Sequence, residues 1–219
     1  MNRRAETAFV VGAPLALALL ELYHPHPHEL LRLDLRAWMT VHYLQIVLFP
    51  LGGAGPRADR PRSPGIRRGS LPCRRLRLRV SWVAFDTAAG VTTGILLERA
   101  QATGAPEAWR APIMSIWEHP IVGAGASPES APLLAVTGTI AWLVGCLAAA
   151  CTLRRAGISW IPAVLLAISG VSFLVWRTHA SPGDPIAFGA LAAAAAWLRW
   201  ASPERAGARQ TLPSSARLS

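Results

Sequence analysis

The stretch Val80 to Leu97, VSWVAFDTAAGVTTGILL, is the most informative part of this sequence for predicting the fold. As a helix it is long enough to cross most of a hydrocarbon core of about 30 Å, and its only charged residue is Asp86. Asp86, Gly90 and Gly94 share one helical face because they are four residues apart. The two glycines form a GxxxG pattern, which predicts close helix packing. Because a carboxylate is costly in hydrocarbon, Asp86 is expected to face protein or a wet cavity.

The composition of the chain favours a membrane protein. Of its 219 residues, 52% are hydrophobic and 16% are charged, whereas soluble domains carry roughly 25% charged residues. The net charge of +10 arises from arginine, because the sequence has no lysine. A basic protein could bind nucleic acid, but the long apolar segments account for this chain better, so we expect no nucleic-acid partner. The lack of lysine, with abundant Ala, Pro and Gly, is typical of a GC-rich bacterial genome.

Six apolar segments predict an all-α integral membrane bundle with six transmembrane helices. They lie near residues 7–23, 38–51, 80–97, 133–153, 160–176 and 186–200. The first segment also resembles a signal peptide, but its cleavage-like Ala16-Leu17-Ala18 lies inside the apolar run, so an uncleaved helix is preferred. Five spans are the alternative, because the second and sixth segments are short. Residues 1–200 would form a single bundle and residues 201–219 a disordered cytoplasmic tail.

The distribution of arginine orients this bundle. With a cytoplasmic N terminus, one side collects the arginines of both termini, of residues 52–79 and of the Arg154-Arg155 pair. The other side holds Arg32, Arg36, Arg99, Arg110 and Arg177. The positive-inside rule therefore predicts that both termini are cytoplasmic, with the chain in the inner membrane of a bacterium. The lipid bilayer is the expected partner, and the oligomeric state is left open.

Residues 52–79 form a segment rich in Arg, Pro and Gly, and it has two interpretations. The first is a basic cytoplasmic loop that contacts anionic lipid. The second is a shifted reading frame, because such a block, ending an apolar segment early, is what a wrong frame of GC-rich DNA encodes. The shortness of the second apolar segment supports this interpretation.

The candidate chemistry inside the bundle rests on polar residues in the second and third segments. His42 and Gln45 are spaced i, i+3 and predict one polar helical face. An intramembrane carboxylate such as Asp86 is a candidate proton or cation site, and the alternative is a structural hydrogen bond to a neighbouring helix. From the rise per residue, His42 and Asp86 are expected to lie very roughly 10 to 15 Å apart along the membrane normal. They would then not form a direct pair, and a water-linked path could run from His42 through Gln45 to Asp86.

Histidines on the outer side suggest a second kind of site. Imidazole and carboxylate together bind zinc or copper, and paired imidazoles hold haem iron. The candidate ligands are His24, His26, His28, His119 and His179. No HExxH, CxxC or CxxCH pattern accompanies them. Interfacial histidines without a ligand are therefore the preferred interpretation, and the cofactor is left unknown.

Motifs in the first three segments resemble an uncharacterised family of bacterial multi-pass membrane proteins. The resemblance rests on Glu21-Leu22-Tyr23-His24-Pro25, on Trp38 with His42 and Gln45, on Leu48-Phe49-Pro50-Leu51, and on Phe85-Asp86-Thr87-Ala88-Ala89-Gly90 with Thr93-Gly94. It implies an inner-membrane bundle without an established activity. Its recurrent positions correspond here to Glu21, His24, His42 and Asp86. In that family the second connection is shorter and more apolar than residues 52–79, which agrees with a shifted frame.

Three functions fit these features. The leading one is a small transporter, or a proton- or cation-linked membrane protein, that uses Asp86. The alternatives are a metal- or haem-binding redox protein and a structural membrane scaffold. No P-loop, nucleophile elbow or dinucleotide fingerprint is present in the sequence, so an enzyme is the less favoured class.

The frame-shift hypothesis makes a prediction that needs only the gene. If the frame is shifted, one of the other two frames of the DNA that encodes residues 52–79 will continue the second apolar segment. Translation of both frames is the measurement. Two frames without an apolar continuation would contradict the hypothesis.

Overall fold

The structure is a computed structural model that describes residues 3–25, 29–52, 81–123, 132–176 and 182–201. Every regular element in these ranges is helical, so the all-α prediction is confirmed. We label seven helices in chain order: α1 (3–22), α2 (Leu35–Gly52), α3 (81–102), α4 (Arg110–Trp117), α5 (Leu133–Arg155), α6 (Trp160–Trp176) and α7 (Gly183–Trp200). Short 3-10 turns at Leu30–Arg32 and Pro106–Trp109 lead toward α2 and α4.

Two of these helices contain a wide, π-type turn. The turn in α1 covers Ala8–Gly12, and the turn in α3 covers Asp86–Thr92. The Thr92 hydroxyl donates to the carbonyl of Thr87, five residues earlier, at 2.9 Å. Such turns insert an extra residue into a helix and occur frequently at functional sites. The turn in α3 starts at the carboxylate that the sequence singled out.

Helix α2 is longer than the sequence indicated. It begins at Leu35 because the Asp34 carboxylate accepts a hydrogen bond from the backbone N–H of Ala37 at 3.1 Å, which caps the helix. Its 18 residues span about 27 Å, close to the thickness of a bilayer core. At this length α2 is not short, so its length gives less support to a shifted reading frame. Residues 53–80 lie outside the described ranges, so the loop and frame-shift interpretations both stay predictions.

The helices pack in an order set by the chain. Helix α1 packs against α2 and α7, α6 lies between α5 and α7, and α2 packs against α3. An ion pair joins the first and last helices, with 2.6 Å between Arg199 Nη2 and Glu6 Oε2. Both side chains are largely shielded from solvent, which makes this contact stronger than a surface pair. The pair ties the N-terminal part of α1 to the end of α7.

An aromatic cluster connects the first three helices to the last three. Its rings come from α2, α3, α5, α6 and α7, and neighbouring centroids lie 5.3 to 6.1 Å apart. The members are Phe49, Trp82, Phe85, Trp142, Phe173 and Phe188. Tilted and edge-to-face rings at these distances stabilise a core beyond the area that they bury. The cluster joins the two groups of helices through one apolar core.

Two helices within the described ranges are long and apolar enough to cross a membrane. They are Arg4–Leu22, with 19 residues, and Leu133–Arg155, with 23 residues. Helix α6 is apolar but has 17 residues. Signal sequences and the core helices of soluble proteins have similar length and composition, so this finding gives weak support to a membrane location.

Candidate functional site

The polar candidates of the sequence meet where α1, α2 and α3 pack together. Glu21 is 2% exposed, His42 3%, and Gln45 and Asp86 0%. Each of these side chains comes from a helix that presents apolar residues on its other faces. Burial of four polar side chains is costly unless they interact with one another.

Glu21 and Gln45 form the shortest polar contact of this cluster. The Gln45 amide Nε2–H donates to Glu21 Oε1 at 2.5 Å. The carboxyl group of Asp86 is close enough to Glu21 for the two negative charges to repel one another. The site therefore holds two carboxyl groups, from α1 and α3, and the Gln45 amide of α2 is hydrogen-bonded to the first of these.

Gln45 also offers an acceptor. Its Oε1 is buried and has no hydrogen-bond donor in the described part of the chain, and the same is true of the fully buried Thr93 hydroxyl. Buried polar atoms of this kind usually interact with water or an ion. An amide can accept a hydrogen bond from a protonated carboxyl group through its oxygen or donate to a carboxylate through its nitrogen. Gln45 can thus serve Glu21 in both protonation states.

His42 lies one turn from the carboxyl groups. Its Nδ1–H donates to the backbone carbonyl of Trp38 at 2.8 Å, since a carbonyl oxygen can only accept. This bond orients the ring and assigns proton exchange to Nε2. The ring faces Gly90, where a Cβ atom would lie 2.5 Å from that nitrogen.

Trp38 is a site residue that the sequence indicated only through the family resemblance, where it stands beside His42 and Gln45. Its indole N–H donates to the Gly90 carbonyl at 2.8 Å, and its ring lies 4.2 Å from the His42 ring. His24 completes the aromatic contacts, with 5.1 Å between its ring and that of His42. The positions of Trp38, His42 and Gln45 at i, i+4 and i+7 form one helical stripe, and this spacing could have identified Trp38.

Helices α2 and α3 run antiparallel through this site. His42 faces Gly90 and Met39 faces Gly94. Gln45 and Asp86 therefore lie at about the same level along the helix axes. This level is roughly 6 Å from the contact between His42 and Gly90, toward the end of α2 and the start of α3. The separation of very roughly 10 to 15 Å between His42 and Asp86 along the helices is an overestimate. In the structure His42 is level with Gly90, so only the four residues from Gly90 to Asp86, about 6 Å of helix, separate the two levels.

The predicted glycine positions lie against α2. A Cβ at Gly90 would come within 1.8 Å of His42 Cδ2, and one at Gly94 within 2.1 Å of Met39 Sδ. The absence of side chains at these two positions lets the His42 ring and the Met39 thioether approach the α3 backbone. The positions of the imidazole and of the carboxyl groups thus depend on this close helix contact.

The outer histidines are only partly described. His24 is 7% exposed and belongs to the cluster with Trp38 and His42. His119 lies in an exposed turn, where its Nδ1 accepts from the N–H of Ile121 at 3.2 Å. His26, His28 and His179 lie outside the described ranges. Within those ranges no three His, Cys, Asp or Glu side chains are grouped to hold a metal ion, and the metal site stays a prediction.

No protein-family model matches the chain, and no curated protein or solved structure is significantly similar to it. The resemblance of the first three segments to a bacterial membrane family therefore stays an expectation. The function has to be inferred from the buried cluster itself.

Gly90→Ala tests the close contact between α2 and α3. The added methyl group would overlap the His42 ring, so the ring or the helix must move, and we expect a loss of about 1–3 kcal/mol in the free energy of unfolding. Thermal unfolding of the purified protein in detergent measures this. Gly145→Ala is the matched control, because a Cβ there meets nothing within 4 Å. Equal melting temperatures for both variants would contradict the packing described here.

Proposed function

We propose that the chain is a six-span protein of a bacterial inner membrane that binds a proton between Glu21, Gln45 and Asp86 and couples its release to transport of a small solute. The observation that carries the proposal is the buried Glu21–Gln45 hydrogen bond of 2.5 Å beside the Asp86 carboxyl group. Polar groups of this kind inside a membrane are typical of proton and ion pathways.

The chemistry of the site suits proton binding. Two ionised carboxylates close together in a dry site repel strongly, so the pair favours a shared proton. Loss of that proton changes the charge between α1 and α3 and therefore the packing that is most stable. The His42 Nε2 atom lies about one turn from the pair and offers a relay position toward the start of α2.

The surface of α5 and α6 supports a membrane location. Exposed branched side chains recur at helical spacing along α5, at Ile140, Val144 and Leu147. The same holds along α6, at Val164, Ile168, Val171 and Val175. Soluble monomers rarely expose continuous apolar surfaces of this extent, whereas lipid would cover them.

The charges at the helix ends support the orientation. Arg154 and Arg155 end α5, and the Arg154 guanidinium lies 3.9 Å from the ring centroid of Trp160 at the start of α6. An arginine beside a tryptophan is typical of a cytoplasmic interface. Both termini would lie on this same side.

A structural scaffold is the second candidate, and the tight packing of Gly90 and Gly94 on α2 favours it. In that function the bond between Glu21 and Gln45 would only hold α1 to α2. Proton exchange at the carboxyl groups distinguishes the two candidates.

The orientation predicts the behaviour of reporter fusions. Green fluorescent protein fused after the last residue will be fluorescent, and alkaline phosphatase at that position will be inactive, because the C terminus is cytoplasmic. Phosphatase fused after Gly104, between α3 and α4, will be active. The reverse pattern, or recovery of the protein in the soluble fraction without detergent, would contradict the architecture.

If Glu21 and Asp86 bind the transported proton, substitution of either carboxyl group should reduce proton exchange and proton flux. Infrared difference spectra between two pH values should show a carboxylic-acid band that is absent from Asp86→Asn and reduced in Glu21→Gln. In proteoliposomes with an imposed pH gradient, both variants should lower proton flux by at least about tenfold, the scale of a lost proton-transfer group.

Glu98→Gln is the matched control, because Glu98 is an exposed acid on the same helix as Asp86. It should keep both the infrared band and the flux. An Asp86→Asn protein that elutes as a folded species and keeps the infrared band and full flux would contradict the proton site and favour the scaffold.

A further inference from the structure

A cavity of about 460 Å³ lies between the turn before α2 and the segment that contains α4. This volume is in the range of small-molecule sites. Its charged lining comes from two short segments, with Glu29 and Arg32 on one and Glu107 and Arg110 on the other. Met114 and Trp117 of α4 supply apolar surface.

Each segment contributes one ion pair to the cavity. Arg32 Nε lies 3.0 Å from Glu29 Oε2, and Arg110 Nε lies 2.8 Å from Glu107 Oε2. Arg110 also donates through Nη2 to Glu107 Oε1 at 3.1 Å, so this pair is bidentate. All four side chains are more than half exposed and can reach a ligand.

The two pairs also interact with each other. Attraction acts between Glu107 and Arg32 and between Arg110 and Glu29, so opposite charges alternate around the cavity. The hydrogen bond from Arg110 lowers the pKa of Glu107, and the same bond raises the pKa of Arg110. Both shifts favour the charged forms of Glu107 and Arg110, and the formal charges of the two glutamates and two arginines sum to zero.

This arrangement selects for a particular ligand charge. An anion attracted by the arginines would be repelled by the neighbouring glutamates. A cation attracted by the glutamates would likewise be repelled by the arginines. A molecule that carries both charges can face an arginine with its anionic group and a glutamate with its ammonium group. The face of Trp117 adds favourable surface for an ammonium group or for the carbon chain that joins the two charges.

Aromatic contacts lead from this cavity to the buried cluster. Trp117 lines the cavity, and its ring lies 5.9 Å from the ring of Trp38. Trp38 in turn donates a hydrogen bond to the Gly90 carbonyl, and its ring lies tilted against the His42 ring. A ligand that moves Trp117 would therefore act on the residues that orient His42.

We propose that this cavity binds a small zwitterion, with an ammonium group on the glutamates and a phosphate or carboxylate on the arginines, and that it is the outer access site for the transported solute. The second part rests on the proton-linked transport proposed above. Two sources can supply this chemistry, a free solute and the headgroup of a zwitterionic lipid.

Binding to the full-length protein in a detergent without zwitterionic lipid tests the first part. Isothermal titration calorimetry with phosphoethanolamine and β-alanine should show binding, and inorganic phosphate and ethylamine should bind at least about tenfold more weakly, since each meets only half of the charges. Arg110→Gln and Glu107→Gln should each weaken the zwitterions by about tenfold or more. Arg99→Gln, an exposed arginine on α3, is the matched control and should bind normally.

Equal binding of the single-charge probes, or unchanged binding by both variants, would overturn the zwitterion site. Phosphoethanolamine binding in nanodiscs of two lipid compositions distinguishes the two sources. If phosphatidylethanolamine prevents the binding and phosphatidylglycerol does not, the site binds a lipid headgroup. If phosphoethanolamine binds in both kinds of nanodisc, the site binds a free solute. The first result overturns the access role.

The two proposals fail in distinguishable ways. Asp86→Asn should lose proton flux and keep zwitterion binding, because Asp86 does not line the cavity. Arg110→Gln should lose zwitterion binding and any flux that the zwitterion stimulates. Lost flux in Asp86→Asn without zwitterion binding by the wild type would overturn the cavity proposal and leave the proton site in place.

Discussion

The buried hydrogen bond between Glu21 and Gln45 is the interaction on which the candidate site depends. It joins the end of α1 to the middle of α2 at a level where almost no solvent reaches either side chain. A carboxyl group and an amide buried without one another would each be strongly unfavourable, so the bond makes the burial of both tolerable. It also brings Glu21 close to Asp86 on α3. This contact therefore holds α1 against α2 and brings two carboxyl groups into one space, where their negative charges repel one another.

The helix contacts around this bond have different physical origins. Gly90 and Gly94 let α3 approach the His42 and Met39 side chains so closely that no other residue fits without rearrangement. Farther along α2 and α3, six aromatic rings fill the region that meets the last three helices. Close packing is specific because it allows few alternatives, whereas aromatic rings stabilise the core through their mutual contacts in addition to the area that they bury. The polar cluster lies between these two kinds of contact and is held in place from both sides.

The proposed proton site and the proposed zwitterion site would serve different parts of one transport pathway. The buried carboxyl groups have the chemistry to bind and release a proton, and the exposed charges near α4 have the chemistry to select a solute by its charge. Trp38 and Trp117 lie between them. The Trp38 ring contacts the His42 ring on one side and the Trp117 ring on the other. Such an arrangement can link solute binding to proton release because the same aromatic residues contact both regions. The link needs a second conformation of the bundle, in which Trp38 no longer holds His42 against α3.

The all-α class and the candidate residues follow from the amino-acid sequence alone. Apolar segments separated by Pro- and Arg-rich connections favour helices, and an isolated carboxylate in such a segment stands out by its cost. The sequence also showed that Gly90 and Gly94 share a face. It misjudged the start of α2, because the cap at Asp34 is a local hydrogen bond that apolar periodicity does not record.

Which of these residues meet depends on how the helices pack against one another. The pairing of Glu21 with Gln45, the proximity of Asp86 and the role of Trp38 depend on the register between three helices. That register is set by contacts between residues distant in the chain, such as Met39 on Gly94, and spacing within one helix holds no information about it. For the same reason, the alternating charges around the cavity could not be predicted from the sequence. Each ion pair is visible as an i, i+3 pattern, but their opposition across the cavity arises when α4 folds back over the start of α2.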